Sequence, residues 1–140
     1  MTAKEYLYQT YRLDELIKSY QRELASLKEL ALSVGSQNTS KDVVTVSKDN
    51  SANFTRTVEK IADIELIISK EIEHYISVKK EIHAVIEDVE DNDEKLCLRC
   101  RYIEFMSWEQ IADKMHYELR TVFRIHGKAL NHIKIPSTCQ

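Results

Sequence analysis

The sequence predicts an all-α fold: a long antiparallel helical hairpin, coiled-coil-like, followed by a C-terminal three-helix domain of helix-turn-helix type. Three observations carry that expectation. The 140 residues include only two Gly and one Pro, too few for the many tight turns of a β-rich fold. Two long stretches repeat apolar residues at alternating intervals of three and four, the spacing of a heptad seam. The last third holds three short amphipathic segments bounded by helix-start and helix-stop residues.

The first helix follows from Leu13, Ile17, Tyr20, Leu24, Leu27, Ala31 and Val34, which form a continuous seam that Tyr6 extends in phase. Gly35 comes next and is the expected stop. Residues 36–53 are rich in Ser, Thr, Asn and Asp and read as a flexible loop. Within it Val43, Val44 and Val46 suggest a short extended piece. The second helix is expected over residues 54–89, on the seam Ile61, Ile64, Ile68, Glu71, Tyr75, Val78, Ile82, Val85 and Val89. Ile67, Ile72 and Ile86 widen that stripe, and Glu71 interrupts it. Such a helix is about 54 Å long at 1.5 Å per residue. One compact core cannot cover it, so the hairpin keeps apolar surface for a partner or a second copy. Asp91, Asn92 and Asp93 are all able to cap a following helix. The expected domains are therefore residues 1–90 and residues 94–135.

In the second domain, a helix over residues 94–105 places Leu96, Cys100 and Ile103 on one face. Ser107 followed by Gln110 is a capping box and starts the next helix. There Trp108, Ile111, Ala112 and Met115 face inward, and Ala112 is small enough for a close crossing. A turn at His116 and Tyr117 leads to a third helix over residues 118–133, with Val122, Ile125, Ala129, Leu130 and Ile133 inward. Two short helices and a tight turn, the second helix longer and basic, make a helix-turn-helix pattern. The outward residues Leu119, Arg120, Thr121, Phe123, Arg124 and Lys128 are the candidate contacts to double-stranded DNA. Arg pairs with guanine edges or phosphates, Thr with either, and Phe123 or Leu119 suits a thymine methyl. Charge agrees in sign. Residues 95–140 carry a net +4 while the whole chain carries −3, as expected where only the small domain meets a polyanion.

The stretch containing Arg101-Tyr102, Glu109-x-Ile111-Ala112, Val122, Ile125 and Lys128-Ala129-Leu130 resembles the DNA-binding fourth region of major bacterial sigma factors. The whole chain is also similar to small phage and prophage proteins of Gram-positive bacteria. The ArpU-like and RinA-like late-gene activators are related to these. The resemblance implies a phage-encoded transcription regulator, with RNA polymerase as a further partner. Two positions depart from the sigma-like pattern. His116 stands at the turn where Gly is usual, so it must take a left-handed backbone angle or shift the turn. Glu118 replaces the small polar cap of the recognition helix. Gly127, inside that helix, costs about 1 kcal/mol against Ala and is expected to permit close packing.

The remaining residues suggest no chemistry. Cys97 and Cys100 form C-x-x-C within a helix, with no second pair at zinc-like spacing. They read as packing residues, as does Trp108. His116, His126 and His132 read as turn or surface residues, and Tyr6, Tyr8, Tyr11 and Tyr20 as packing or partner surface. Neither a phosphate loop nor a nucleophile motif occurs, so neither an enzyme nor a cofactor is expected. Lacking an apolar run of membrane-spanning length or a secretory signal, the protein is expected in the bacterial cytoplasm, without membrane contact. Two alternatives remain open. One is a small-terminase-type subunit of phage DNA packaging, which also joins a helix-turn-helix to a helical oligomerisation part. The other is a protein-interaction module that docks on RNA polymerase or a repressor.

Overall fold

The computed structural model describes residues 1–36 and 47–137, and among these all regular structure is helical. The order is α1 (Ala3–Ser36), α2 (Ser47–Glu87), α3 (Asn92–Leu98) continued by a π-helical turn (Arg99–Ile103), α4 (Trp108–Met115) and α5 (Leu119–His132). Helix α1 has 34 residues and α2 has 41, about 51 and 62 Å at 1.5 Å per residue. No described helix is long and apolar enough to cross a membrane.

Two sequence expectations need correction here. Helix α1 runs through Gly35 to Ser36, so Gly35 lies inside the last turn. Helix α2 begins at Ser47, not near residue 54. Its polar early residues are absorbed by back-bonding: Thr55 Oγ1 donates to the Ser51 carbonyl at 3.0 Å, and Thr57 Oγ1 to that of Asn53 at 2.9 Å. Composition read residues 47–53 as part of a loop, yet hydroxyl side chains are compatible with a helix where they bond one turn back, as Thr55 and Thr57 do. Val43, Val44 and Val46, assigned to an extended piece, lie outside the described residues.

The chain forms two compact units, one of Met1–Asp14 with His74–Gln140 and one of Glu15–Glu73. The expected division between residues 90 and 94 separates α2 from α3, but it does not separate the units. The physical reason is a shared core. Tyr6 and Leu7 of α1, Ile82 and Ile86 of α2, and Val89 after it are buried with Leu98, Tyr102 and Ala129 from the C-terminal helices. The Thr10 hydroxyl is fully buried and donates to the Tyr102 carbonyl at 2.9 Å, satisfying a group at the end of the π turn. A second core lies within the C-terminal helices: Cys97, Cys100, Ile111, Ala112, Met115 and Val122, with Trp108 and Ile125 partly buried against it. Ala112 and Trp108 thus pack as their positions in the sequence suggest.

In the second unit, Lys28 pairs with Glu65 at 3.5 Å. Ala31 and Leu32 line a shallow apolar cleft with Phe54, Val58 and Ile61. Rising numbers on α1 meet falling numbers on α2.

Candidate nucleic-acid interface

Local signals fix the ends of α3 and α4. Asp91 caps α3, its carboxylate accepting from the Glu94 N–H at 2.9 Å. Ser107 caps α4 with both bonds of the capping box: its hydroxyl accepts from Gln110 N–H at 3.3 Å, and Gln110 Oε1 accepts from Ser107 N–H at 2.9 Å. The exit of α4 answers the question raised by His116. It takes the left-handed conformation, φ 57° and ψ 37°. Tyr117 N–H then reaches the Ala112 carbonyl at 3.1 Å, and His116 N–H reaches that of Asp113 at 3.3 Å. This is the Schellman closure that Gly usually provides, with a side chain in its place. Tyr117 Oη donates to Asp93 Oδ2 at 2.7 Å, tying the turn to α3. Three residues after α4, α5 begins. Glu118 holds its N-cap position without a side-chain hydrogen bond, as a long carboxylate does there.

Helix α5 buries Val122, His126 and Ala129. Its other side presents the predicted residues. Arg120, Arg124 and Lys128 are exposed, as are Leu119 and Phe123, and Thr121 is half-buried. Arg120, Arg124 and Lys128 lie four residues apart and form one stripe. Among the described residues none of the three is in an ion pair. Other basic residues of the domain are engaged. Arg99 donates to Glu87 at 2.6 Å, Lys95 lies 3.7 Å from Glu87, and Lys114 donates to Glu104 at 3.1 Å. The guanidinium of Arg101 donates to the Met106 carbonyl at 3.0 Å and lies 4.4 Å from the Trp108 ring centroid. The outer face of α5 therefore carries three cations without an ion pair among the described residues, and Arg101 keeps its charge beside Trp108. Phe123 is 47% exposed, and its ring meets Trp108 edge-on at 5.2 Å, so it is held in place while still presenting an edge.

Gly127 does not serve close packing, as was expected: a Cβ there would meet nothing within 4 Å. It leaves a gap in the exposed face between Phe123 and Lys128.

One histidine read as a surface or turn residue is instead buried, while His132 stays exposed as expected. His126 is buried, stacked on Tyr102 and edge-on to Trp108, with its Nε2 2.8 Å from the Tyr102 hydroxyl. Burial, and then the charges of Lys4 and Arg101, lower its pKa from 6.5 to about 4, so it is neutral at pH 7. Burial also pushes the Tyr102 phenol up to about 12. His132 Nδ1 lies 2.6 Å from the carboxylate of the buried Glu94, joining α5 to α3. The position of His126 between Val122 and Ala129 on the inward stripe was the available signal, and its polarity concealed it. Cys97 and Cys100 are free and fully buried. Desolvation raises both thiols, Cys97 to about 11, which suits packing and not thiolate chemistry.

Fold and site together define an all-α protein whose last two helices, joined by a three-residue turn, expose an unpaired cationic face. Residues 32–134 match the family described as "Protein of unknown function (DUF1492)", and the chain belongs to that family. No curated protein and no solved structure was found to match it.

Proposed function

We propose that the protein is a sequence-specific DNA-binding transcription regulator, phage-encoded and acting on phage genes, with α4 and α5 as its helix-turn-helix. The observation that carries the reading is the stripe Arg120, Arg124 and Lys128, free of ion pairs among the described residues while Lys95, Arg99 and Lys114 are paired. An exposed arginine pair beside Thr121 on an amphipathic helix suits base edges and phosphates in a major groove about 12 Å wide. The resemblance of this stretch to the fourth region of sigma factors supports the same reading. In it, α1 and α2 form a helical hairpin whose exposed apolar residues mediate self-association or contact with RNA polymerase. Because every group involved belongs to the protein itself, the reading calls for neither catalysis nor a cofactor.

The test is a fluorescence-anisotropy titration against duplexes from upstream of the protein's own gene and of neighbouring late genes. Wild type should bind with steep salt dependence. An Arg120→Ala/Arg124→Ala variant should lose at least about 30-fold in affinity, since each such contact is worth about 1–3 kcal/mol. Unchanged affinity of that variant on every duplex would sink the assignment of α5. A ring of many copies in solution would instead favour the DNA-packaging subunit.

A further inference from the structure

A second group of cations and aromatic rings lies on the same compact unit. Tyr8, Tyr11, Arg101, Tyr102, Phe105 and Ser107 line a cleft of about 250 Å³. Tyr8 and Tyr11 lie 5.0 Å apart with their rings tilted by 32°, and Tyr11 meets Phe105 edge-on at 5.7 Å. The Arg12 guanidinium lies 5.6 Å from the Tyr8 centroid and is exposed to solvent. Phe105 holds its place by a left-handed backbone, φ 56°, where the π turn ends. Non-glycine residues take that conformation only when the surroundings fix them.

This cleft is continuous with α5. Trp108 touches Phe123 on the exposed face of α5, and it also carries Arg101, which lines the cleft together with Ser107. Lys4 on the first turn of α1 is exposed and near enough to disfavour a proton on His126 of α5. The neighbouring Glu5, its pKa lowered mainly by hydrogen bonding with Thr2, lies near enough to Arg12 for that charge to help lower it. The nearby acid Glu104 is held by Lys114. The Ser107 hydroxyl accepts from Gln110 N–H, which leaves its hydrogen to donate. Two hydroxyls and a guanidinium beside aromatic rings, next to a cationic helix, match a phosphodiester strand better than a neutral or basic partner.

We propose that this cleft is a second DNA contact, a phosphate clamp in which Arg12, Tyr11 and Ser107 hold the strand flanking the α5 site. The proposal rests on the DNA-binding reading of α5 and extends its footprint onto α1. Phosphate contacts fix register without reading sequence, so the clamp contributes affinity on any duplex and α5 contributes the choice of site.

The test uses the full chain and a labelled duplex of mixed sequence, titrated between about 50 and 200 mM salt. Arg12→Gln removes the charge at an exposed position, and circular dichroism checks that the helices remain. The slope of log affinity against log salt should fall by about 0.9 for one lost phosphate contact, with a similar loss on every sequence. Arg12→Lys should restore the slope. If Arg12→Gln and Tyr11→Ala leave affinity and slope unchanged while Arg120→Ala/Arg124→Ala abolishes binding, the clamp is overturned and the α5 reading stands. If the α1 variants lose binding and the α5 variant does not, the α5 reading fails, and the composite footprint fails with it. Absence of binding by wild type at the lowest salt overturns both.

Discussion

The two compact units are built on the same pair of long helices and the same heptad spacing, yet they bury it very differently. In the unit of Met1–Asp14 and His74–Gln140, Tyr6, Leu7, Ile82, Ile86 and Val89 are closed over by Leu98, Tyr102 and Ala129. In the unit of Glu15–Glu73, Ile17 and Ile68 are the buried apolar residues among those described, while Leu30, Leu32, Val58 and Leu66 stay exposed. A two-helix layer covers one stripe on each helix and leaves the rest to water. A third layer is needed to bury the flanks, and among the described residues only the first unit has one, supplied by α3 and α5. Heptad spacing therefore records that a stripe needs a partner, and it does not reveal how many partners exist.

The largest expected difference lies in core truncation. Ile86→Ala should cost about 2–5 kcal/mol in a urea titration, followed by the fluorescence of Trp108, the single tryptophan. Leu66 is 57% exposed, so Leu66→Ala should cost under about 0.5 kcal/mol. The contrast breaks if Leu66→Ala lowers the melting temperature strongly at high protein concentration but not at low. That result would mean a second copy covers the arm.

Acid should act on the first unit through His126. Its folded pKa of about 4 lies below the ordinary 6.5, so between these values the unfolded chain binds the extra proton. The stability tied to neutral His126 is complete above about pH 6.5 and is lost as pH falls toward 4. The Trp108 signal of a His126→Gln variant should depend less on pH over that window than that of wild type. Equal slopes would show that other groups govern acid unfolding.

Smaller effects come from two backbone positions. Gly127→Ala should stabilise the chain by about 1 kcal/mol, because a Cβ there meets open space. His116→Gly should raise stability by about 0.5–1 kcal/mol by relieving the left-handed side-chain residue. A loss in either case would mean that the side chain or the gap serves a contact beyond the chain itself.

The all-α class, the capping box at Ser107, the inward face of α4 and the outward face of α5 were legible because each depends on residues within a few positions. Arg120, Phe123, Arg124 and Lys128 are exposed where helical periodicity put them, although what they bind is a separate question. The start of α2 was hidden by hydroxyl residues whose composition suits loop and helix alike. The division into units was hidden because the covering layer on Ile82 and Ile86 comes from residues far along the chain. His126 and Glu94 were missed because each is a polar residue whose hydrogen-bond partner lies on another helix, Tyr102 and His132. Tyr11 gained interest only when folding set it against Phe105 in the cleft that Ser107 also lines, and Arg12 through its place over the Tyr8 ring.

The buried Cys97 and Cys100 give the molecule an internal clock. Both thiols are sealed in the core of the C-terminal helices and are held protonated by desolvation, so an alkylating reagent must wait for those helices to part. With Cys139 replaced by Ser, the labelling rate of the remaining pair reports how often the core opens, residue by residue and without any denaturant. If DNA holds α4 and α5 together, a bound duplex will slow that clock.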